Sequence, residues 1–298
     1  EAFNSAYINS LLSGVFTQAI NIKSGVYEAL IRPLEQIAGG FLRADKRAVQ
    51  LGFAQYKGLM LHFGEVVEMT RIALKQGDAI LDPLSRTQDN LEIVGGKAIR
   101  PISGANLGVE GAAGTAIDWV GKVIEFPSRL LMTGDEFLKQ SNYRARLYVN
   151  ALDNTMERGL DIQSKAGREN IDRIFKEGFT KNGAANITES SINQNALQYA
   201  REATYTNDLM GGSYLNIGSH IQTFLNAAPI FRFLAPFIRT PTNLWRHMSN
   251  RIPGLGACTK QNRMMGNSGD RRARAEVLGR QLLGTSVVLY GLHLATKD

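Results

Sequence analysis

The stretch TGDEFLKQSNYRARLYVNAL, Thr133–Leu152, carries the clearest indication of the fold class. Thr133 and Glu136 have the spacing of a capping box, in which the threonine hydroxyl accepts a bond from a backbone N–H and the glutamate reaches back. We therefore expect a helix that begins at Thr133, and Gly159 is a natural stop for it. Its buried side is expected to consist of Phe137, Leu138, Leu147, Tyr148, Ala151 and Leu152.

Helical patterns also dominate the rest of the chain, and none of the helical segments alternates as a strand does. The further helices are predicted at 4–20, 24–38, 113–124, 165–177, 191–204 and 214–226. Two short β-prone runs flank Gly95 and Gly96 and are typical of a small hairpin. The sequence therefore predicts an all-α fold: an elongated multi-helix array with long amphipathic helices and one small β-hairpin or irregular insertion.

One more helix is predicted over 44–76, because this range holds no proline and carries a heptad pattern. At 1.5 Å per residue it would be a rod of roughly 50 Å. Leu59 and Val66 widen its apolar face beyond a strict coiled-coil seam, which favours packing within the chain. A coiled-coil contact between copies, or oligomer contact, is the open alternative. We call the six heptad residues the heptad stripe: Val49, Phe53, Tyr56, Met60, Phe63 and Val67.

The composition allows a sizeable core and narrows the chemistry. Of 298 residues, 44% are hydrophobic and 20% are charged, so the chain is not disordered by composition. The single cysteine, Cys258, excludes an internal disulfide and any zinc site that needs two cysteines of this chain. The net charge is +7, and residues 228–280 hold ten Lys or Arg against two acids. Such a localised basic region favours contact with phosphate, in nucleic acid or lipid; a solvated face or an acidic partner chain is the alternative.

The segment APIFRFLAPFIRTPTNLWRHMSNRIPG, residues 228–254, combines aromatic residues, arginines and prolines, and we call it the basic–aromatic segment. Thr240 is expected to cap a helix with Pro241 in its first turn. The candidate contacts to nucleic acid or lipid are Arg232, Arg239, Arg246 and Arg251, together with Arg271, Arg272 and Arg274 of the next helix. The candidate anchors to a membrane or a neighbouring subunit are Phe231, Phe233, Phe237 and Trp245. In the final helix, Gly284 and Gly291 would permit close helix approach, or simple core packing.

Catalytic patterns are missing from the sequence. The four histidines are far apart, and no zinc-helix, nucleophile-elbow or nucleotide-binding motif is present. Glu189-Ser190 resembles the catalytic pair of some peptidoglycan-cleaving transglycosylases, but their glycine-rich motif does not follow. A helix-start role for Glu189 is favoured, and a lytic enzyme is the last alternative. We expect no catalytic residue, no metal and no cofactor.

The organisation along the chain is expected to comprise four segments. Residues 1–77 form an N-terminal helical region with the long heptad helix, and 78–114 an irregular, glycine-rich connector or hairpin. Residues 115–226 are again helical. Residues 227–298 form the basic, aromatic- and proline-rich part with a final apolar helix.

Two blocks resemble a known family. GDEFLKQSNYRARLYVNAL (134–152) is one; the other is FRFLAPFIRTPTNLWRHMSNRIPG (231–254), with the basic stretch from Arg271 to Asp298 after it. The second block is similar to a segment of form PF-x-RTP-x-N in the internal virion proteins, also called ejection or internal core proteins, of short-tailed bacteriophages. That form is matched in this chain by Arg239, Thr240, Pro241 and Asn243. The resemblance implies a structural role for these positions, as a capped helix start with an arginine beside it.

The resemblance implies a structural role. Proteins of this family lie in the capsid core near the portal, leave ahead of the genome and reassemble in the host cell envelope as a conduit for DNA. The implied partners are copies of the chain, other phage core, portal or tail proteins, phage DNA and the host inner membrane. The alternative is a helical nucleic-acid-binding appendage of a virion-packaged enzyme.

Overall fold

A computed structural model describes residue 10 and residues 15–83, 93–94, 97–98, 102–187, 190–206 and 239–297. The helices of these ranges are α1 (Val15–Leu42), α2 (Lys46–Leu61), α3 (Phe63–Gln76), α4 (Gly111–Ile124), α5 (Phe126–Glu157), α6 (Lys165–Glu177), α7 (Ser191–Ala203), α8 (Arg239–Ser249), α9 (Leu255–Cys258), α10 (Lys260–Asn267) and α11 (Arg271–Ala295). The all-α prediction is confirmed. The predicted helix at 214–226 and the first residues of the one at 4–20 lie outside the described residues.

Helix α5 is the centre of the fold. It contacts α1, α2, α3, α6 and α7, and most of its residues from Leu138 to Thr155 are buried. The main apolar cluster forms around it and consists of Leu51, Leu81, Tyr143, Leu147, Val149, Ala151, Leu152, Ile171, Ile174, Ala196, Leu197 and Ala200. Of the side chains expected to be buried in α5, four are buried, whereas Phe137 and Tyr148 are half-buried.

The predicted start of α5 at Thr133 is wrong. The helix begins at Phe126, with Pro127 in its first turn, where the missing N–H of proline costs no hydrogen bond. Thr133 lies inside the helix and its hydroxyl donates to the Arg129 carbonyl over 2.7 Å. Glu136 does not reach back; its carboxylate accepts the Leu81 N–H at 2.9 Å. The end is as predicted, since α5 stops at Glu157 and Gly159 adopts a φ of 69°.

Two predicted helix boundaries in the first 77 residues also differ from the structure. Helix α1 runs without a break through Ser24, because Gly25 packs against Leu138 of α5 and this tertiary contact outweighs the weak helix propensity of the pair. The single rod over 44–76 is wrong, because it divides into α2 and α3 at His62. His62 lies between the two helices with a non-helical φ of −105° and ψ of 15°, and its ring stacks on Phe175 with 4.1 Å between ring centroids.

The heptad stripe does not form the buried face of α2 and α3. Phe53, Met60, Phe63 and Val67 are 57%, 73%, 54% and 45% exposed, so the expected packing within the chain is wrong for these four. Val49 and Tyr56 are half-buried. The buried face of α2 instead consists of Ala48, Leu51, Gly52, Gln55 and Gly58. A side chain at Gly58 would meet the Ala145 backbone of α5 at 2.8 Å. The close approach of the α2 and α5 backbones therefore requires glycine at this position of the buried face.

The last helix packs on the first. Helices α1 and α11 share the most extensive contact between helices in the described part of the chain. Their backbones meet so closely that a Cβ on Gly279 would lie 1.7 Å from the Glu35 carbonyl oxygen, and one on Gly39 1.7 Å from that of Ala275. The described part of the segment 227–298 is thus not set apart from the N-terminal helices.

The two glycines predicted to permit close approach differ from each other. A Cβ on Gly284 would lie 1.7 Å from the Arg251 carbonyl oxygen, so this glycine does allow a close contact. A Cβ at Gly291 would meet no atom of the described residues within 4 Å. The pair therefore does not form a shared seam in this chain.

The connector between α3 and α4 is described only in part. Strands β1 (Ile93–Val94) and β2 (Lys97–Ala98) pair antiparallel, with Val94 opposite Lys97. The residues between and around them lie outside the described ranges, so the hairpin stays a prediction. Helix α4 begins two residues before the predicted start, α6 has the predicted bounds, and α7 ends one residue early.

Candidate functional site

The candidate residues of the basic–aromatic segment divide into two groups. Phe231, Arg232, Phe233 and Phe237 lie outside the described residues, so their roles stay predictions. Helix α8 begins at Arg239, one residue before the expected N-cap Thr240, and the Arg239 side chain is not described. The remaining candidates, from Trp245 onward, can be located one by one.

Trp245 and Arg246 occupy different environments on α8. The Trp245 side chain is 61% exposed, with Met248 beside it on the same face at 52%. Arg246 is half-buried, and its burial lowers the pKa of the guanidinium, partly offset by Glu202. Trp245 is therefore accessible and Arg246 only partly accessible, and the anchor role of Trp245 stays a prediction.

Arg251 is held in a buried ion-pair cluster. Its Nη1 and Nη2 donate to the two carboxylate oxygens of Glu28 over 2.8 and 3.0 Å, and its Nε donates to Glu35 over 2.5 Å. The two carboxylates are 2% and 0% exposed. Because these bonds occupy the guanidinium, we reassign Arg251 from a phosphate contact to a structural ion pair.

The carboxylate of Glu28 stays ionised inside this cluster. Burial alone would raise its pKa, but His247 and Arg251 outweigh the burial and hold the pKa well below its usual range. The Tyr205 hydroxyl also donates to Glu28, over 3.2 Å. Burial and the negative charge of Glu28 raise the pKa of Tyr205 far above its usual range, so this hydroxyl remains a donor.

A second group of buried charges adjoins the first and joins α1, α7 and α11. Arg32 contacts Glu276 over 3.2 Å and Glu202 over 2.9 Å, and its guanidinium lies 3.8 Å from the centre of the Tyr199 ring. Arg280 donates to Glu276 over 2.5 Å. Although burial opposes ionisation, Arg280 and Arg32 lower the pKa of Glu276 to about 2. The interface between the first and last helices is therefore held by charge pairs.

Arg272 belongs to a third ion pair. Its Nε lies 3.1 Å from the Asp153 carboxylate of α5, and its Nη1 donates to Asn150 over 2.9 Å. Arg47 of α2 donates to the same carboxylate over 2.6 Å. With 14% of its side chain exposed, Arg272 is also reassigned from phosphate contact to structural contact.

Arg271 and Arg274 have a different setting, in an open cleft of about 680 Å³ between the α1–α2 turn and the start of α11. The cleft is also lined by Arg43, Lys46 and Arg47. We call it the basic cleft. Among the described residues, only Arg47 of these five basic side chains has an ion pair. Sequence reasoning missed Arg43 and Lys46, although the run RADKR before a helix was a signal for them.

The second half of α11 leaves the body of the fold. From Val287 to Ala295 every residue is exposed. The large apolar side chains and their exposed fractions are Val287 66%, Val288 46%, Leu289 60%, Tyr290 64%, Leu292 57% and Leu294 47%. We call these six residues the apolar tip.

No group of three or more His, Cys, Asp or Glu suited to a metal ion occurs in the ranges that the structure describes.

None of the described helices, α11 included, is both long and apolar enough to cross a membrane.

Comparisons of the chain with protein-family models, with curated proteins and with solved structures gave no significant match.

Proposed function

We propose that the chain is a structural subunit of a bacteriophage internal core, which acts by association of copies and not by catalysis. After ejection the copies would assemble in the host cell envelope into a conduit for the genome, as the family resemblance of its sequence implies. Its partners would be copies of itself, other core, portal or tail proteins, phage DNA and the host inner membrane. One observation carries the proposal: the large apolar surface that a single chain leaves exposed.

The apolar tip is the first part of that surface. Six large apolar side chains, each 46–66% exposed, follow one another over eight residues. Soluble monomers rarely expose a contiguous apolar patch beyond a few hundred Å², and a helix that is apolar on most sides is normally buried. Burial against other copies would remove this surface from water and gain roughly 25 cal/mol for each Å².

A second apolar surface lies on the outer side of α1 and α2. The Tyr56 hydroxyl donates to the Leu30 carbonyl over 2.6 Å, which places the two helices side by side here. On α1, Tyr27, Leu30 and Leu34 are 50%, 51% and 41% exposed, and Phe53 on α2 is 57% exposed. The heptad stripe of α2 thus continues an exposed apolar face of α1. This arrangement supports the open alternative of a contact between copies.

The mass of the assembly in solution tests the proposal. Sedimentation velocity of the full chain at about 10 µM should give species larger than the monomer of 32.7 kDa. The double variant Leu289→Glu, Leu292→Glu places two charges on the apolar tip, where burial in an interface would be costly. We expect it to shift the distribution to monomer. His293→Glu, on the same part of α11, is the matched control and should keep the oligomer. A monomeric parent chain would end the proposal.

A second function is favoured by the basic cleft: a helical nucleic-acid-binding appendage of a virion-packaged enzyme. Such an appendage needs no contact between copies. It would sediment as a monomer and still bind DNA with strong salt dependence. The same sedimentation experiment therefore separates the two functions.

A further inference from the structure

We propose that the basic cleft binds consecutive phosphates of a DNA backbone without reading its sequence. The inference deepens the proposed function and rests on it only in taking DNA as the polyanion. Neither Arg43 nor Lys46 was a candidate contact from the sequence. The cleft joins them to Arg271 and Arg274 across a separation of more than 220 positions.

The first argument is the unbalanced charge of the cleft. Arg43, Lys46, Arg271 and Arg274 have no ion pair within the described residues, and Arg43, Lys46 and Arg271 are exposed. The Nε of Arg274 is buried and, within those ranges, has no hydrogen-bond partner. Four like charges that converge on one cleft repel one another, and this repulsion is relieved when an anion binds.

The acidic residues of the cleft do not offset these charges fully. Asp45 caps α2, and its carboxylate accepts the N–H of Ala48 at 3.0 Å. Asp270 is not part of the lining; it caps α11 through the Arg272 N–H at 2.8 Å. Arg47, the fifth basic residue, is paired with Asp153. One carboxylate thus faces four unpaired cations.

The second argument is the backbone around the cleft. The first residues of both α2 and α11 line it, and helix N-termini carry partial positive charge that favours anions. The turn that brings them together is tight: the N–H of Asp45 donates to the Gly40 carbonyl over 2.9 Å, and that of Ala44 to Phe41 over 3.1 Å. Ala44 adopts a left-handed φ of 52°, and Gly269 opposite has a φ of 76°.

The third argument concerns the shape and favours a polymer over a small ion. The basic cleft is open to solvent and continues into a second cleft of about 500 Å³ through shared lining residues. The shared residues are Arg47, Gly269 and Arg271, but the second cleft is also lined by the carboxylates of Asp153, Glu157 and Asp270. The phosphates are therefore assigned to the basic cleft alone. The unpaired cations lie on two sides of the basic cleft, Arg43 and Lys46 at the α1–α2 turn and Arg271 and Arg274 on α11. A backbone with regularly spaced phosphates can contact both sides at once, whereas one free phosphate would contact only part of the cleft.

The test is fluorescence anisotropy with two 30-base-pair duplexes of unrelated sequence, over a series of salt concentrations. The double variant Arg43→Ala, Arg271→Ala removes two exposed cations that no described residue pairs with, so its fold should be unchanged by circular dichroism. We expect its affinity for both duplexes to fall roughly tenfold or more, and the log–log salt slope to decrease by about two units. Lys165→Ala, Lys176→Ala removes the same charge on α6 and should leave both quantities close to those of the parent chain.

The outcomes are decisive in both directions. Equal binding of the two duplexes, weakened only by the cleft variant, supports the inference. Failure of the parent chain to bind DNA, or equal losses in both double variants, would overturn it. Flotation with vesicles of phosphatidylserine and phosphatidylcholine is the second arm: loss of vesicle binding in the cleft variant without any DNA binding assigns the cleft to lipid and also overturns it.

Sedimentation of the same samples keeps this inference separate from the proposed function. The variant Arg43→Ala, Arg271→Ala should retain the oligomer mass of the parent chain. A monomeric parent chain that binds DNA through the cleft would reject the assembly role and uphold the cleft. An oligomeric parent chain that does not bind DNA would uphold the assembly role and reject the cleft.

Discussion

Replacement of Arg251 by methionine tests whether the buried charge clusters hold the last helices to the first. Arg251 makes three short bonds to Glu28 and Glu35, of 2.8, 3.0 and 2.5 Å. The substitution leaves both carboxylates buried with fewer partners. Removing one member of a buried ion pair typically costs about 3–5 kcal/mol, and this range is the expected loss of unfolding free energy at pH 7.

The loss should depend on pH with a definite sign. The pKa of Glu28 is lowered in the folded protein, so its stabilising effect is present above the ordinary carboxylate value of 4.5 and disappears as the pH falls below it. Without Arg251, Glu28 takes up a proton more readily in the folded state. The difference between parent and variant should therefore be largest near neutral pH and become smaller in acid.

The assay is urea denaturation followed by the helical circular-dichroism signal at several pH values. Arg271→Met is the matched control, because Arg271 is exposed and has no ion pair among the described residues. It should change the unfolding free energy by no more than about 0.5 kcal/mol. A loss below about 1 kcal/mol for Arg251→Met, or equal losses for both variants, would refute the reasoning.

Three further predictions concern single residues. Gly279→Ala should lower the unfolding free energy by about 1–3 kcal/mol, since its Cβ would clash with the Glu35 carbonyl. Gly291→Ala, where a Cβ meets no described atom, should raise it by about 0.5–1 kcal/mol, and urea denaturation of both variants checks this. The ion pairs of Glu276 lower its pKa from 4.5 to about 2 and should contribute about 3 kcal/mol of stability. This stability is present above pH 4.5 and lost between pH 4.5 and 2, so the unfolding free energy measured from pH 6 to 2 should fall less steeply in Glu276→Gln than in the parent chain. Ala44→Gly should raise the melting temperature and increase the unfolding free energy by about 0.5–1 kcal/mol, because alanine is strained at a φ of 52°. A decrease in the unfolding free energy would contradict this.

The helices that the sequence predicts best are those with local end signals. Helices α6 and α7 begin after Ser164 and Ser190, whose side chains accept backbone N–H bonds at the helix start, and both are strongly amphipathic. The break at His62 has no such signal, and the ring that His62 stacks on belongs to Phe175, 113 positions away. The buried face of α2, with Gly58, could not be predicted for the same reason, because it packs against helices that the local pattern does not reveal.

The candidate site shows the same division between local and distant information. The basic character of residues 228–280 can be counted from the sequence, but its arginines look alike there, and Arg251, Arg271, Arg272 and Arg274 were given the same role. What separates their roles is whether the fold brings an acid to them: Arg251 and Arg272 are paired, whereas Arg271 and Arg274 have no ion pair among the described residues. Glu28 lies 223 positions from Arg251, and nothing local to either residue indicates the pairing.

The apolar tip places a condition on the symmetry of any assembly that buries it. Its large side chains point in nearly all directions around the axis of α11, apart from a narrow strip with Ser286 and His293. A two-fold dimer covers only one side of each helix and would leave the opposite side in water. Complete burial needs neighbours on at least two sides, which is the geometry of a closed ring or a bundle of three or more copies.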